Sequence, residues 1–155
     1  GDADEANHKM NNLDWGAAAQ QDLKGALQHL KQNGKPAGVV GFCMGGALTI
    51  ISAVQLEEVT AAVCFYGIPP QEAADPANIK IPMMFHFASN DDWCNADAVA
   101  GLEKRLIEGN VSHELYLYGD TQHAFFNEAR PEVHDAEASK LAFERSSSFL
   151  LARLR

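Results

Sequence analysis

The sequence predicts an α/β fold, a doubly wound and mostly parallel sheet with helices on its faces. Two observations carry the prediction. The strand candidates "AGVVGF" and "TAAVCFYG" are apolar throughout rather than alternating, as strands buried on both faces are. Strand-like and helix-like segments also follow one another along nearly the whole chain, the pattern of parallel sheets with crossover helices. The 155 residues suffice for one domain with its own core.

The first twelve residues, "GDADEANHKMNN", are polar, and residues 1–13 read as a solvated leader, expected to lie over the active site in a fuller fold. Asp14 is placed to cap a helix over "WGAAAQQDLKGALQHLKQNG". In it Ala19, Leu23, Ala26, Leu27 and Leu30 recur at i, i+4, i+7, i+8 and i+11, one helical face, and Gly34 and Pro36 stop it. "AGVVGF" is the first strand, "MGGALTIISAVQ" a helix, and "TAAVCFYG" the second strand. "IPPQEAADPANIKIP" reads as a loop, "PMMFHFAS" as the third strand, and "NADAVAGLEKRLIEGN" as a helix ended by Gly109 and Asn110. "SHELYLYG" is the fourth strand and "DTQHAFFNEARPE" a loop. A final helix from about Val133 places Phe143, Ser147, Leu150 and Leu154 on one stripe.

Composition narrows the function. Twelve Lys plus Arg against 21 Asp plus Glu give a net charge of -9, which disfavours nucleic acid and anionic membranes as partners. The longest apolar stretch, Gly38 to Val54, is short for a membrane span and holds four glycines, a cysteine, a threonine and a serine. Three cysteines fit a reducing cytoplasm better than a disulfide scaffold.

Ligands of parallel sheets bind beyond the C-terminal strand ends. Cys43 follows the first strand candidate, Asn90, Asp91 and Asp92 the third, and His123 the fourth. A thiolate nucleophile needs a base, the base needs a carboxylate to fix its tautomer, and the developing oxyanion needs N–H donors. A strand-to-helix turn supplies such donors, and the positive end of the helix lowers a thiol pKa. "GFCMGG" fits the nucleophile-elbow pattern with cysteine in place of serine, and Gly41, Gly45 and Gly46 permit the turn. Cys64 lies inside a strand and reads as core; Cys94 reads as a pocket or surface residue. His86, between two phenylalanines, reads as structural or pocket-lining, and His113 and His134 as surface residues. Tyr66 and Gly67 end a strand at the functional edge.

Rival chemistries fit less well. A dinucleotide fingerprint needs glycine where Cys43 stands, and its acidic residue about 20 positions on is missing. No C-x-x-C or H-x-x-x-H pair offers metal-ligand spacing.

Together "GVVGFCMGGALTI", "PMMFHFASNDDW" and "YGDTQHAFFNEARP" resemble the dienelactone hydrolase family of α/β-hydrolases, over nearly the whole chain from the first helix on. The resemblance implies a lactone or ester hydrolase that uses no metal or cofactor. It implies Cys43 as nucleophile, Asp91 as acid in preference to Asp92, His123 as base, and the Met44 N–H as one oxyanion donor. It further implies a substrate contact shortly after the histidine, for which Arg130 is the candidate, with Asn127 closer. Apart from the resemblance, Trp93 and Phe125 read as candidate pocket residues, core packing being the usual place of such aromatics. The family fold places three or four strands before the elbow, where this chain has only about 40 residues. The domain is therefore expected to lack its N-terminal strands. Missing with them are the second oxyanion donor, a glutamate beside the nucleophile and an arginine for a substrate carboxylate. A half-sheet of this kind would bare an apolar edge beside the elbow strand, so the isolated chain is expected to be oligomeric or poorly active. A truncated, non-catalytic homologue acting as a binding module stays open as the second reading.

Overall fold

The computed structural model describes residues 2–155; Gly1, the first residue of the polar leader, lies outside them. Helix α1 (Asp2–Asn11) is formed by that leader. Asp14 then caps α2 (Trp15–Ala17), its carboxylate accepting from the Ala17 amide at 2.9 Å. The helix runs on through a π-helical segment, Ala18–Leu23, into α3 (Lys24–Leu30), and Gly34 ends it in the left-handed conformation at φ 72°. The π segment adds residues per turn and breaks the 3.6-residue phase. Ala19 and Leu27 are buried, but the expected face does not stay together: Leu30 is 60% exposed.

Four strands follow in a single sheet: β1 (Ala37–Phe42), β2 (Val59–Phe65), β3 (Met83–Asn90) and β4 (His113–Gln122). Their spatial order is β1-β2-β3-β4, and each neighbouring pair is parallel. Helix α4 (Met44–Gln55) joins β1 to β2, and α5 (Ala96–Glu108) joins β3 to β4. Between β2 and β3 runs the expected loop, tightened by a 3-10 turn at Pro76–Asn78 and pinned by Arg105, whose Nε and Nη2 reach the Asp75 carboxylate at 3.1 and 2.5 Å.

Helix α6 (Ala136–Arg153) closes the chain and lies on the opposite face from α4. Alternation along β1 shows this: a Cβ on Gly38 would meet Leu150 and Leu154 of the C-terminal segment, whereas one on Gly41 would meet the start of α4. Its buried stripe is Ala142, Ser146 and Phe149, one position off the expected one, and Phe143 is exposed. Asp135 caps the helix, accepting from the Ala138 amide at 2.8 Å, so it starts three residues later than Val133.

The core is built on β2 and β3, where Ala61 to Phe65 and Met83 to Phe87 are almost wholly buried. Within it His86 gives both ring nitrogens to hydrogen bonds of 2.9 Å, Nδ1 with the Tyr118 hydroxyl and Nε2 with Ser146 Oγ. Burial, helped by the nearby Arg145 charge, pushes the His86 pKa down to about 3, so the ring is neutral and structural. Among the described residues β1 pairs only with β2, and its Val40 and Phe42 side chains are more than 40% exposed. No helix among the described residues is long and apolar enough to cross a membrane.

Candidate active site

Each strand hands over to one residue at its C-terminal end: Cys43 after β1, Tyr66 after β2, Asp91 after β3 and His123 after β4. Parallel pairing gathers these ends along one edge. Phe42 is in register with Phe65, which sets Cys43 beside Tyr66; Asn90 is in register with Gln122, which sets Asp91 beside His123.

Cys43 makes the turn from strand to helix within one residue. Its amide still donates to Phe65 O at 3.0 Å, while its carbonyl already accepts from the Ala47 amide at 3.1 Å as the first helical bond. Satisfying both demands φ 55° and ψ -118°, a conformation that costs a β-carbon-bearing residue about 1–3 kcal/mol. Glycines make room. A Cβ on Gly41 would sit 2.0 Å from the Gly45 carbonyl oxygen, and one on Gly46 2.5 Å from Phe65 O. Gly45, expected to serve the same purpose, has nothing within 4 Å of its Cβ position. The third crowded glycine is Gly67, where a Cβ would lie 2.2 Å from the Cys43 carbonyl oxygen; only the fold brings it there.

Asp91 and His123 form the hydrogen-bonded pair. Asp91 Oδ2 accepts from His123 Nδ1 at 2.7 Å, and Oδ1 accepts the amides of Trp93 and Cys94 at 2.8 and 3.0 Å. The neighbouring Asp92 is exposed. Burial works against the Asp91 charge, but the His123 ring and the two amides outweigh it and hold the carboxyl below its ordinary range. His123 Nε2 is buried and has no hydrogen-bond partner among the described residues. Burial likewise disfavours the charged ring, yet Asp91 and Cys43 together raise its pKa to about 9. In return His123 is the main cause of the lowered Cys43 pKa, followed by the opposing effect of burial and then a helping contact from the Met44 amide. The three shifts run in one direction, each favouring the charged form of thiol, ring or carboxyl. The ring is held from two sides, its centroid 5.0 Å from that of Tyr66 and 4.9 Å from that of Trp93.

A cavity of about 410 Å³ opens on the thiol. Cys43, Met44, Tyr66, Trp93, Cys94 and His123 line it, joined by Met10, Asn11 and Trp15 from the N-terminal segment. Two further candidates lie elsewhere. Phe125 is fully buried behind Tyr66, ring centroids 5.6 Å apart, and does not line the cavity. Arg130 stands in a separate hollow on the far side of His123, its Nε 2.9 Å from Glu132 Oε1. Cys64 is core, its Sγ 3.1 Å from Gly67 O. Among the described residues no three His, Cys, Asp or Glu side chains cluster as metal ligands would.

Comparison with known proteins shows what the chain is similar to. The chain is 33% identical over 132 residues to Protein usf of Aquifex pyrophilus, covering 82% of this chain and 57% of that one. It is 30% identical over 120 residues to the carboxymethylenebutenolidase homolog of Rattus norvegicus, covering 76% and 49%. The fold superposes on a dienelactone hydrolase-like promiscuous phosphotriesterase from metagenomic libraries with a TM-score of 0.80 at 18% identity, over 99% of this chain and 67% of that one. The chain spans about half the length of the curated relatives it matches. The model of the dienelactone hydrolase family matches residues 1–154, nearly the whole chain, and the chain belongs to that family.

Proposed function

We propose that this chain carries the hydrolytic site of a lactone or ester hydrolase, with Cys43 as nucleophile, His123 as acid and base, and Asp91 as the group that fixes the ring. The observation that carries the reading is the Asp91–His123 bond of 2.7 Å, with the buried Nε2 left for the Cys43 thiol. Asp91 on Nδ1 leaves Nε2 as the nitrogen that exchanges protons at the reacting atoms.

The steps follow from these atoms. The Cys43 thiolate attacks the carbonyl carbon, and the electron pair moves to the carbonyl oxygen. The Met44 N–H, the first of α4, faces that oxygen at the positive end of the helix. As the C–O bond to the alcohol breaks, His123 Nε2 gives its proton to the departing alkoxide, leaving a thioester. His123, now neutral, takes a proton from water, whose oxygen attacks the thioester. The thiolate leaves, the acid is released and the imidazolium is restored. In a lactone the departing alkoxide stays attached to the acyl chain.

The open edge of β1 supports a second part of the proposal: further strands, from a longer chain or a second copy, pair there in the working enzyme. The experiment is hydrolysis of p-nitrophenyl acetate by the chain, with Cys43→Ala as control. Turnover that the substitution abolishes supports the reading. Turnover that survives it removes Cys43 from the mechanism, and a chain that neither turns over nor acquires a label from iodoacetamide at Cys43 fits the non-catalytic binding module instead.

A further inference from the structure

Tyr66 is the one strand-end residue that the proposed mechanism leaves without a part, and the chain holds it much as it holds Cys43. Its amide still donates to His86 O at 2.8 Å, and the backbone then turns into the left-handed region at φ 35°. A residue with a β-carbon is strained there, and such strain collects at functional sites. The turn is fixed on its far side as well. There the Cys64 thiol donates to Gly67 O at 3.1 Å, and Gly67 packs against the Cys43 carbonyl.

The ring is as firmly placed as the backbone. Its centroid lies 6.2 Å from that of Phe42, 6.0 Å from Phe65, 5.6 Å from Phe125 and 5.0 Å from His123. Only 3% of the residue is exposed, and it lines the cavity that opens on the thiol. A buried phenol ordinarily finds a hydrogen-bond partner. The Tyr66 hydroxyl has none among the described residues, and it is not sealed in either, since His123 Nε2 is the buried side-chain atom there that lacks a partner. Burial, and then the Cys43 charge, push the Tyr66 phenol well above its ordinary range. The hydroxyl therefore keeps its proton, and it stands within electrostatic reach of the thiol.

The side on which the ring stands selects the atom it serves. The acyl oxygen faces the Met44 N–H at the start of α4. Tyr66 leans instead on His123, the group that gives its proton to the departing alkoxide.

We infer that the Tyr66 hydroxyl is a catalytic group that donates a hydrogen bond to the leaving-group oxygen of the bound ester or lactone, beside His123. The inference rests on the reading of Cys43 as nucleophile and deepens it. As the C–O bond breaks, negative charge gathers on that oxygen, and a donor already in place stabilises it. The proton that completes the alcohol comes from His123 Nε2, and Tyr66 ends the step unchanged. Its help grows with the basicity of the departing oxygen.

Tyr66→Phe removes the hydroxyl and keeps the ring. The full chain and this variant are compared on p-nitrophenyl, phenyl and p-methoxyphenyl acetate, which share the acyl group and differ in the basicity of the leaving oxygen. Cys43 acylation is followed by intact mass, and kcat/KM reports the acylation step. The variant is expected to lose about threefold in kcat/KM with p-nitrophenyl acetate and about thirtyfold or more with p-methoxyphenyl acetate. Iodoacetamide should still label its Cys43 at the wild-type rate. In a second measurement p-nitrophenolate is bound to the Cys43→Ala chain with and without Tyr66→Phe. A hydrogen bond donated to its oxygen holds the absorption band at shorter wavelength, so the added substitution is expected to move the band to longer wavelength. An equal loss with all three esters, or none, overturns the inference while leaving the hydrolase reading intact, and identical bands in the two chains do the same. A wild-type chain in which no ester acylates Cys43 overturns the hydrolase reading and this role with it.

Discussion

Asp91 Oδ2 lies 2.7 Å from His123 Nδ1, a bond between the residues that immediately follow two neighbouring strands. It orients the ring and stabilises its charged form, so Asp91→Asn is expected to lower kcat by about 100-fold or more with a smaller change in KM. Steady-state kinetics on a p-nitrophenyl ester check this; an unchanged kcat would assign the carboxylate a purely structural role.

Thiol reactivity separates the three cysteines. His123 pulls the Cys43 pKa down, whereas burial pushes Cys94 up to about 12 and raises Cys64 well above its ordinary value. Iodoacetamide at pH 7 is expected to label Cys43 alone, read by peptide mass spectrometry. His123→Ala should move the labelling midpoint up toward the ordinary thiol value near 8.5.

On the acid side stability should depend on pH through His86. A histidine held down at about 3 stays neutral in the folded chain while the unfolded chain takes up a proton below about 6.5, so stability is full above that pH and is lost as pH falls. The slope is at most about 1.4 kcal/mol per pH unit. On the alkaline side His123, raised to about 9, contributes stability that is lost as pH rises through that value, and the lowered Cys43 pKa opposes this. Urea midpoints measured from about pH 4.5 upward should therefore fall on the acid side. His86→Gln is expected to flatten the acid limb, and an unchanged limb would place the titration elsewhere.

Glycine substitutions rank by the space around them. Gly41→Ala and Gly67→Ala each put a Cβ within 2.2 Å of a backbone oxygen, and are expected to cost about 2–4 kcal/mol or prevent folding. Gly45→Ala meets nothing within 4 Å and sits in a helix, so it should be neutral or slightly stabilising, by up to about 1 kcal/mol. Chemical denaturation of the three variants gives the order.

The free edge of β1 should make the isolated chain self-associate. Light scattering is expected to show oligomers, and Val40→Lys, which puts a charge on a half-exposed edge residue, should reduce them. A monodisperse, fully active monomer would remove the proposed need for further strands.

Much of this was readable from residue order. Continuous apolar runs located β1, β2 and β3, and the residues just after the strands named Cys43, Asp91 and His123. Local patterns failed where the third dimension enters. The π segment over Ala18–Leu23 shifts the helical face, and α6 buries Ala142 and Ser146 in preference to the larger Phe143, because small side chains let the helix approach the sheet closely. Gly67 looked like an ordinary strand end until β2 brought it against the Cys43 carbonyl. Met10 and Asn11 belong to the leader expected over the active site, but no local pattern singles them or Trp15 out as cavity walls, since only the folding back of the N-terminal segment puts them there.

The four strand-end residues also mean that the sheet acts as a ruler for the chemistry. Asp91 meets His123 only while Asn90 stays level with Gln122, in a pairing already interrupted by a bulge between Ala88 and Asn90. Sliding β4 by one residue would carry His123 about 3.3 Å along the strand and turn its side chain to the other face. Core substitutions far from the thiol that loosen this alignment should therefore silence the site while the chain still folds, a class of loss that thermal melting would miss and active-site titration would catch.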